Sequence, residues 1–182
     1  MRSRPRLQKP LSWPEWAARD LSWSRWLHRA AAWPWIVFTL AAVSRLSDGV
    51  LWYALILLLP WVGGASGTAC ALRMLGLGLL NLVIYTTLKR YFARPRPYRA
   101  CESIRPCAQS LDEYSFPSGH ALHAVSFSLL LVLYYPHMAW PLGIFTALVA
   151  LSRVVLGLHY PSDVIIGGAI GFATAQLVQL LF

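Results

Sequence analysis

The sequence is short of charge, and shortest of negative charge. Charged residues make up 13% of the 182, with 7 Asp and Glu against 16 Lys and Arg, a net charge of +9. A soluble domain carries about a quarter charged residues, so an ordinary soluble fold is excluded. Cysteine is scarce as well. Cys70, Cys101 and Cys107 are the three present, and neither they nor the five histidines show the paired spacing of a zinc site. Cys70 lies in an apolar stretch and reads as a small core residue. Cys101 and Cys107 share a polar loop, where an oxidising compartment would permit a disulfide. No cleavable signal peptide is expected, because the first apolar run begins only near Trp33 with no small-residue cleavage site behind it.

What the chain has instead is apolar sequence, 57% of the residues at a mean hydropathy of +0.51. The runs fall at about 33–43, 50–65, 70–88, 119–134, 138–156 and 164–182. The last four approach the roughly 20 residues that a membrane-spanning helix needs. The expected fold is an all-α integral membrane protein, a six-helix transmembrane bundle with an N-terminal interfacial amphipathic helix. Residues 1–32 form a basic, Trp-rich interfacial segment, and 33–182 form the transmembrane domain. The segment repeats a motif, Leu11-Ser-Trp-Pro-Glu-Trp16 and Leu21-Ser-Trp-Ser-Arg-Trp26. At 100° per residue its four tryptophans share one arc of roughly 140°, interrupted by Arg19, which suits a headgroup-level helix.

The cations are clustered. Seven of the sixteen Lys and Arg precede residue 30, and six lie between Lys89 and Arg105. A basic footprint raises nucleic acid as a partner. Attached to apolar spans, it reads better as contact with anionic membrane lipids, so no nucleic-acid partner is expected. Six spans would put both termini on one side and the segments 44–49, 89–117 and 152–163 together on the other. If the loop cations are committed to a ligand, the N-terminal arm decides orientation by the positive-inside rule. The expected location is the cell inner membrane, multi-pass, with the polar segments facing the periplasm or cell exterior.

Three polar signatures border the apolar runs. Pro117-Ser118-Gly119-His120 opens a helix, where backbone amides and the dipole make an anion site that Gly119 lets an oxyanion approach closely. Ser152-Arg153 closes one run. His159 precedes the next, with Asp163 in its first turn and within reach of one His159 nitrogen, leaving the other free to attack. Lys89 ends a third run ahead of Arg94-Pro95-Arg96-Pro97, where either arginine-proline pair fits the pattern. His123, one turn after His120, reads as structural, and Asp112 and Glu113 carry no assigned role.

In this order, Lys-x6-Arg-Pro, Pro-Ser-Gly-His and Ser-Arg-x5-His-x3-Asp resemble the type 2 phosphatidic acid phosphatase superfamily, over about residues 44–180. The six-residue gap selects Arg96 over Arg94, which is then expected to be a rim arginine. The resemblance implies a metal-independent lipid phosphate phosphatase with no cofactor. His159 would attack phosphorus to form a phosphohistidine, Asp163 would orient it, and His120 would protonate the leaving oxygen and then activate water. Lys89, Arg96, Arg153, the Ser118 hydroxyl and the Gly119 amide would bind the phosphate. The preferred substrate is undecaprenyl diphosphate. Phosphatidic acid, phosphatidylglycerophosphate and a lipid phosphotransferase reaction are the alternatives, and a vanadate-loaded haloperoxidase or a non-catalytic scaffold fits the membrane spans and polar set less well.

Overall fold

In the computed structural model, residues 15–110 and 112–181 are described, so the basic positions Arg2 to Lys9 and Trp13 lie outside them. Among the described residues seven α-helices run in the order α1 (Glu15–His28), α2 (Pro34–Arg45), α3 (Leu51–Phe92), α4 (Pro97–Ala100), α5 (Gly119–Tyr134), α6 (Ala139–Val155) and α7 (Pro161–Leu181). Three stretches, Pro34–Ala100, Pro136–Val155 and Pro161–Leu181, are long and apolar enough to cross a membrane, and Gly119–Tyr134 is a shorter apolar helix. Large side chains such as Phe38, Trp61, Val62 and Leu180 point outward, at 77 to 87% exposure. In water that surface would be costly, and against acyl chains it costs nothing.

A straight helix of the 42 residues in α3 would reach about 63 Å. Yet Asp48, just before it, and Lys89, near its end, line the same cavity. The helix doubles back. Pro60 removes one backbone donor. Gly64 then adopts φ 55°, ψ −133°, a conformation that side chains with a Cβ resist. The limbs on either side of Gly64 lie antiparallel, and Trp52 from the first meets Met74 and Leu77 from the second in one core.

Six spans were expected; among the described residues three stretches are long and apolar enough to cross, the first of them folding back at Gly64. The run at 33–43 forms only a short helix. As α2 it has only 12 residues, about 18 Å against a hydrocarbon core of about 30 Å. Both of its ends stay at one end of the bundle. Ala31 and Leu40 pack with Val155, Leu156 and Leu158, and Ser44 bonds the guanidinium of Arg153. α1 is held at that same end, where His28 donates from Nδ1 to the Val155 carbonyl at 2.8 Å and accepts at Nε2 from the Arg105 amide at 3.2 Å. α7 runs the opposite way. α1 and the signature loops thus pack together at one end of the bundle.

α5 and α7 make the closest helix pair. A Cβ on Gly167 would lie 2.5 Å from the Ser118 carbonyl oxygen, and one on Gly171 would lie 2.3 Å from that of Leu122. Glycine at these two places lets the backbones touch, as small residues do between membrane helices. That contact fixes the start of α5, which carries His120, against the start of α7, which carries Asp163.

Candidate active site

A cavity of about 560 Å³ opens among the helix ends and the 93–118 loop. Its polar end is lined by Asp48, Lys89, Arg96, His120, Arg153 and His159, and its apolar end by Trp52, Ile56, Met74, Leu79, Leu82 and Phe127. The three signatures, far apart in sequence, converge here. The cations are scarcely exposed: Lys89 at 5%, Arg96 at 1% and Arg153 at 2%. Burying three like charges together is costly unless something of opposite sign joins them.

Asp112 supplies part of that compensation. Its Oδ2 accepts from Lys89 Nζ at 2.6 Å and its Oδ1 from Arg96 Nη2 at 2.8 Å. The carboxylate thus spans two cations, in the geometry an anionic ligand would take. Arg153 is less satisfied. Its Nη1 donates to Ser44 Oγ, while its Nε has no hydrogen-bond partner among the described residues.

His159 lies in the turn between α6 and α7 at 1% exposure. Arg96 Nη1 is 3.2 Å from its Nε2. A guanidinium only donates, so Nε2 is the nitrogen with the lone pair and the proton sits on Nδ1. Burial, then the charges of Arg96 and Arg153, holds the imidazole well below the usual histidine range. The ring is neutral at physiological pH, as a nucleophile must be.

The expected pairing with Asp163 is looser than a hydrogen bond. His159 Nδ1 and Asp163 Oδ2 are 3.6 Å apart, and Nδ1 has no hydrogen-bond partner among the described residues. The carboxylate is engaged elsewhere: Oδ2 accepts from the Tyr160 amide at 2.9 Å, and Oδ1 from Arg94 Nη1 at 2.6 Å. Without substrate such contacts are often long and tighten on binding.

Ser118 also differs from expectation. Its hydroxyl caps α5, accepting from the Ala121 amide at 3.4 Å, and its own amide donates to the Asp163 carbonyl at 3.0 Å. It is fully buried and does not line the cavity, whereas Gly119 and His120 do. The helix start is closed on one side by α7, which leaves the next two residues facing the site.

The arginine registers separate cleanly. Arg96 lines the cavity and Arg94 does not. Arg94 is no rim residue, however, at 5% exposure. Its Nη2 donates to Asp20 Oδ2 at 2.7 Å, and its guanidinium lies 3.8 Å from the centroid of the Tyr160 ring.

Asp48 went unnoticed in the sequence. Its Oδ1 accepts from His120 Nε2, and Arg45 lies 3.7 Å from its other oxygen. An aspartate followed by Gly49 within an apolar region resembles an ordinary turn, and only the fold brings it 72 positions along the chain to His120. His123 donates from Nδ1 to the Gly119 carbonyl at 2.8 Å and packs edge-on against Tyr85. Cys101 and Cys107 are both free thiols, and Cys101 Sγ accepts from Arg25 Nε at 3.2 Å.

Residues 68–182, which hold all three signatures, match the PAP2 superfamily. The chain belongs to the PAP2 superfamily. It is 32% identical over 134 residues to undecaprenyl-diphosphatase BcrC of Bacillus subtilis, covering 71% of this chain and 69% of that protein. An undecaprenyl-diphosphatase of Sulfolobus acidocaldarius is 36% identical over 94 residues, covering 51% of this chain and 46% of that protein. A decaprenylphosphoryl-5-phosphoribose phosphatase of Mycobacterium tuberculosis is 36% identical over 99 residues, with 53% and 52% covered. Among solved structures, a transmembrane PAP2-type phosphatidylglycerolphosphate phosphatase from Bacillus subtilis superposes with a TM-score of 0.74 at 23% identity, covering 93% of this chain and 87% of that one. Aquifex aeolicus LpxE superposes with a TM-score of 0.75 at 22% identity, covering 87% and 93%. At such identities the structures establish the PAP2 membrane fold. The chain is a PAP2 membrane phosphatase.

Proposed function

We propose that this protein hydrolyses a polyprenyl diphosphate, with undecaprenyl diphosphate the preferred substrate, through a phosphohistidine on His159. One observation carries the reading. The cavity joins a cationic end holding the lone-pair nitrogen of a neutral, buried histidine to an apolar end between the two limbs of α3. A headgroup fits the first and an isoprenoid chain the second. Tyr53, Leu79 and Leu82, which line the cavity, are themselves 67, 66 and 45% exposed, so it is open toward lipid. The names of the BcrC and Sulfolobus relatives favour a polyprenyl diphosphate over a diacylglycerol phosphate.

In the proposed reaction, the His159 Nε2 lone pair attacks the terminal phosphorus in line. The N–P bond forms as the P–O bond to the lipid monophosphate breaks. His120, doubly protonated with its Nε2–H held by Asp48, donates its Nδ1 proton to the leaving oxygen. Lys89, Arg96, Arg153 and the Gly119 amide bind the equatorial oxygens, displacing Asp112 from the first two cations. His120, now basic, takes a proton from water, which attacks phosphorus and releases inorganic phosphate with His159 restored. Asp163 balances the charge on His159. The exposed Trp23 and Trp26 of α1 would rest at the headgroup level, making α1 the interfacial helix of the reading.

The test is phosphate release by purified protein over a panel of undecaprenyl diphosphate, phosphatidic acid and phosphatidylglycerophosphate, with a chelator present. Undecaprenyl diphosphate should have the highest kcat/KM, and acid-labile, alkali-stable phosphate should map to His159. His159→Ala should lose activity by several orders of magnitude. Transfer of phosphate to a lipid acceptor in place of water would support the phosphotransferase alternative. Labelling that persists in His159→Ala would overturn the scheme.

A further inference from the structure

Asp163 is held by Arg94, and Arg94 is held in turn by a residue that lies far outside the matched 68–182 region. That residue is Asp20, on α1. It is 7% exposed, and each carboxylate oxygen is used. Oδ2 accepts from Arg94 Nη2 at 2.7 Å and from Ser162 Oγ, and Oδ1 accepts from the Ser162 amide at 3.1 Å. Ser162 immediately precedes Asp163 in the first turn of α7. Asp20 therefore grips both the guanidinium that binds Asp163 and the backbone that carries it.

We infer that Asp20 is a positioning residue for the phosphoryl transfer, so that α1 completes the active site. The argument builds on the reading of His159 as nucleophile. Arg94 lies between two carboxylates, its Nη1 2.6 Å from Asp163 Oδ1 and its Nη2 2.7 Å from Asp20 Oδ2. A planar guanidinium can serve two carboxylates in one fixed orientation, which an ammonium cannot. With Asp20 present, Arg94 is pinned edge-on to both and stacked over Tyr160, so the position of Asp163 beside His159 Nδ1 is set within narrow limits. With Asp20 neutralised, one edge of a buried guanidinium loses its anion. Arg94 then has reason to pull Asp163 closer or to swing away, and the gap of 3.6 Å to His159 changes. A buried aspartate on a surface helix needs a partner of this kind, and Arg94 with Ser162 supplies it.

Asp20→Asn tests the inference, with the exposed Arg19→Ala on the same helix as control. Steady-state kinetics and single-turnover phosphoenzyme formation with undecaprenyl diphosphate are measured on folded protein. Asp20→Asn is expected to lower kcat between about tenfold and about a hundredfold, as a displacement near 1 Å does, with KM within about twofold. Arg19→Ala should match wild type. A folded Asp20→Asn protein with wild-type kcat, or with the loss in KM alone, overturns the inference. If Asp20→Asn does not fold, Arg94→Lys replaces it. The same kcat loss at unchanged KM is expected there, and wild-type kcat overturns the inference. Absence of a His159 phosphoenzyme in the wild type would instead overturn the proposed function, before any variant is compared.

Discussion

Arg94 and Arg96 stand two residues apart in a proline-flanked run, and the structure predicts that losing each fails in a different way. Arg94 at 5% exposure lies between Asp20 at 7% and Asp163 at 0%, with contacts of 2.7 and 2.6 Å. Arg94→Ala leaves two carboxylates without their shared cation in a site that water barely reaches. Removing one partner of a buried ion pair costs about 3–5 kcal/mol. At roughly 2–4 °C per kcal/mol for a chain of this length, the melting temperature should fall by roughly 6–20 °C. Arg96 is as deeply buried, but its carboxylate partner Asp112 is 38% exposed and water can take over that contact. Arg96→Ala leaves the Leu158 carbonyl without its donor at 2.7 Å. It also relieves the repulsion among three buried cations, so its melting temperature should fall by less than that of Arg94→Ala. Its loss appears in catalysis, where removing one donor to the transferring group lowers kcat about 100- to 1,000-fold. Thermal melting in detergent gives the first quantity, and phosphate release per folded molecule gives the second. Equal melting temperatures with equal loss of turnover would refute this division of labour.

Three further outcomes are expected. His120→Ala and Asp48→Asn should both impair lipid diphosphate hydrolysis far more than that of p-nitrophenyl phosphate, whose leaving group needs little protonation, and equal losses on the two substrates would remove the acid role. Because burial beside Arg96 and Arg153 depresses the His159 pKa, the ring should stay neutral as pH falls through 6.5 and protonate only well below it; a midpoint at or above that value in a ring-nitrogen NMR titration would contradict the site electrostatics. Cys101 and a cysteine placed at Arg19, each as the sole cysteine, should label with an impermeant thiol reagent from the same side of the membrane, and labelling from opposite sides would support the even-span topology instead.

The sequence by itself determined the class of fold and most of the polar groups that line the cavity. Low charge and long apolar runs admit little besides a helical membrane protein, because a bilayer offers backbone amides no partner except each other. Lys89, Arg96, Gly119, His120, Arg153 and His159 were legible through the signatures and the family they resemble, and the structure gathers all six around one cavity. The topology was not legible. A run of apolar residues at 33–43 reads alike whether it crosses a bilayer or packs at one end of a bundle, and only the structure shows α2 packed against the end of α6. Nor were the carboxylates that serve the site. Asp20, Asp48 and Asp112 match no signature, since a carboxylate that balances a buried cation is chosen by distance in space and can come from any part of the chain. Ser118 shows the converse. Its letter fits the signature, yet α7 approaches so closely through Gly167 that its amide is taken by Asp163 and its hydroxyl is turned to the helix cap.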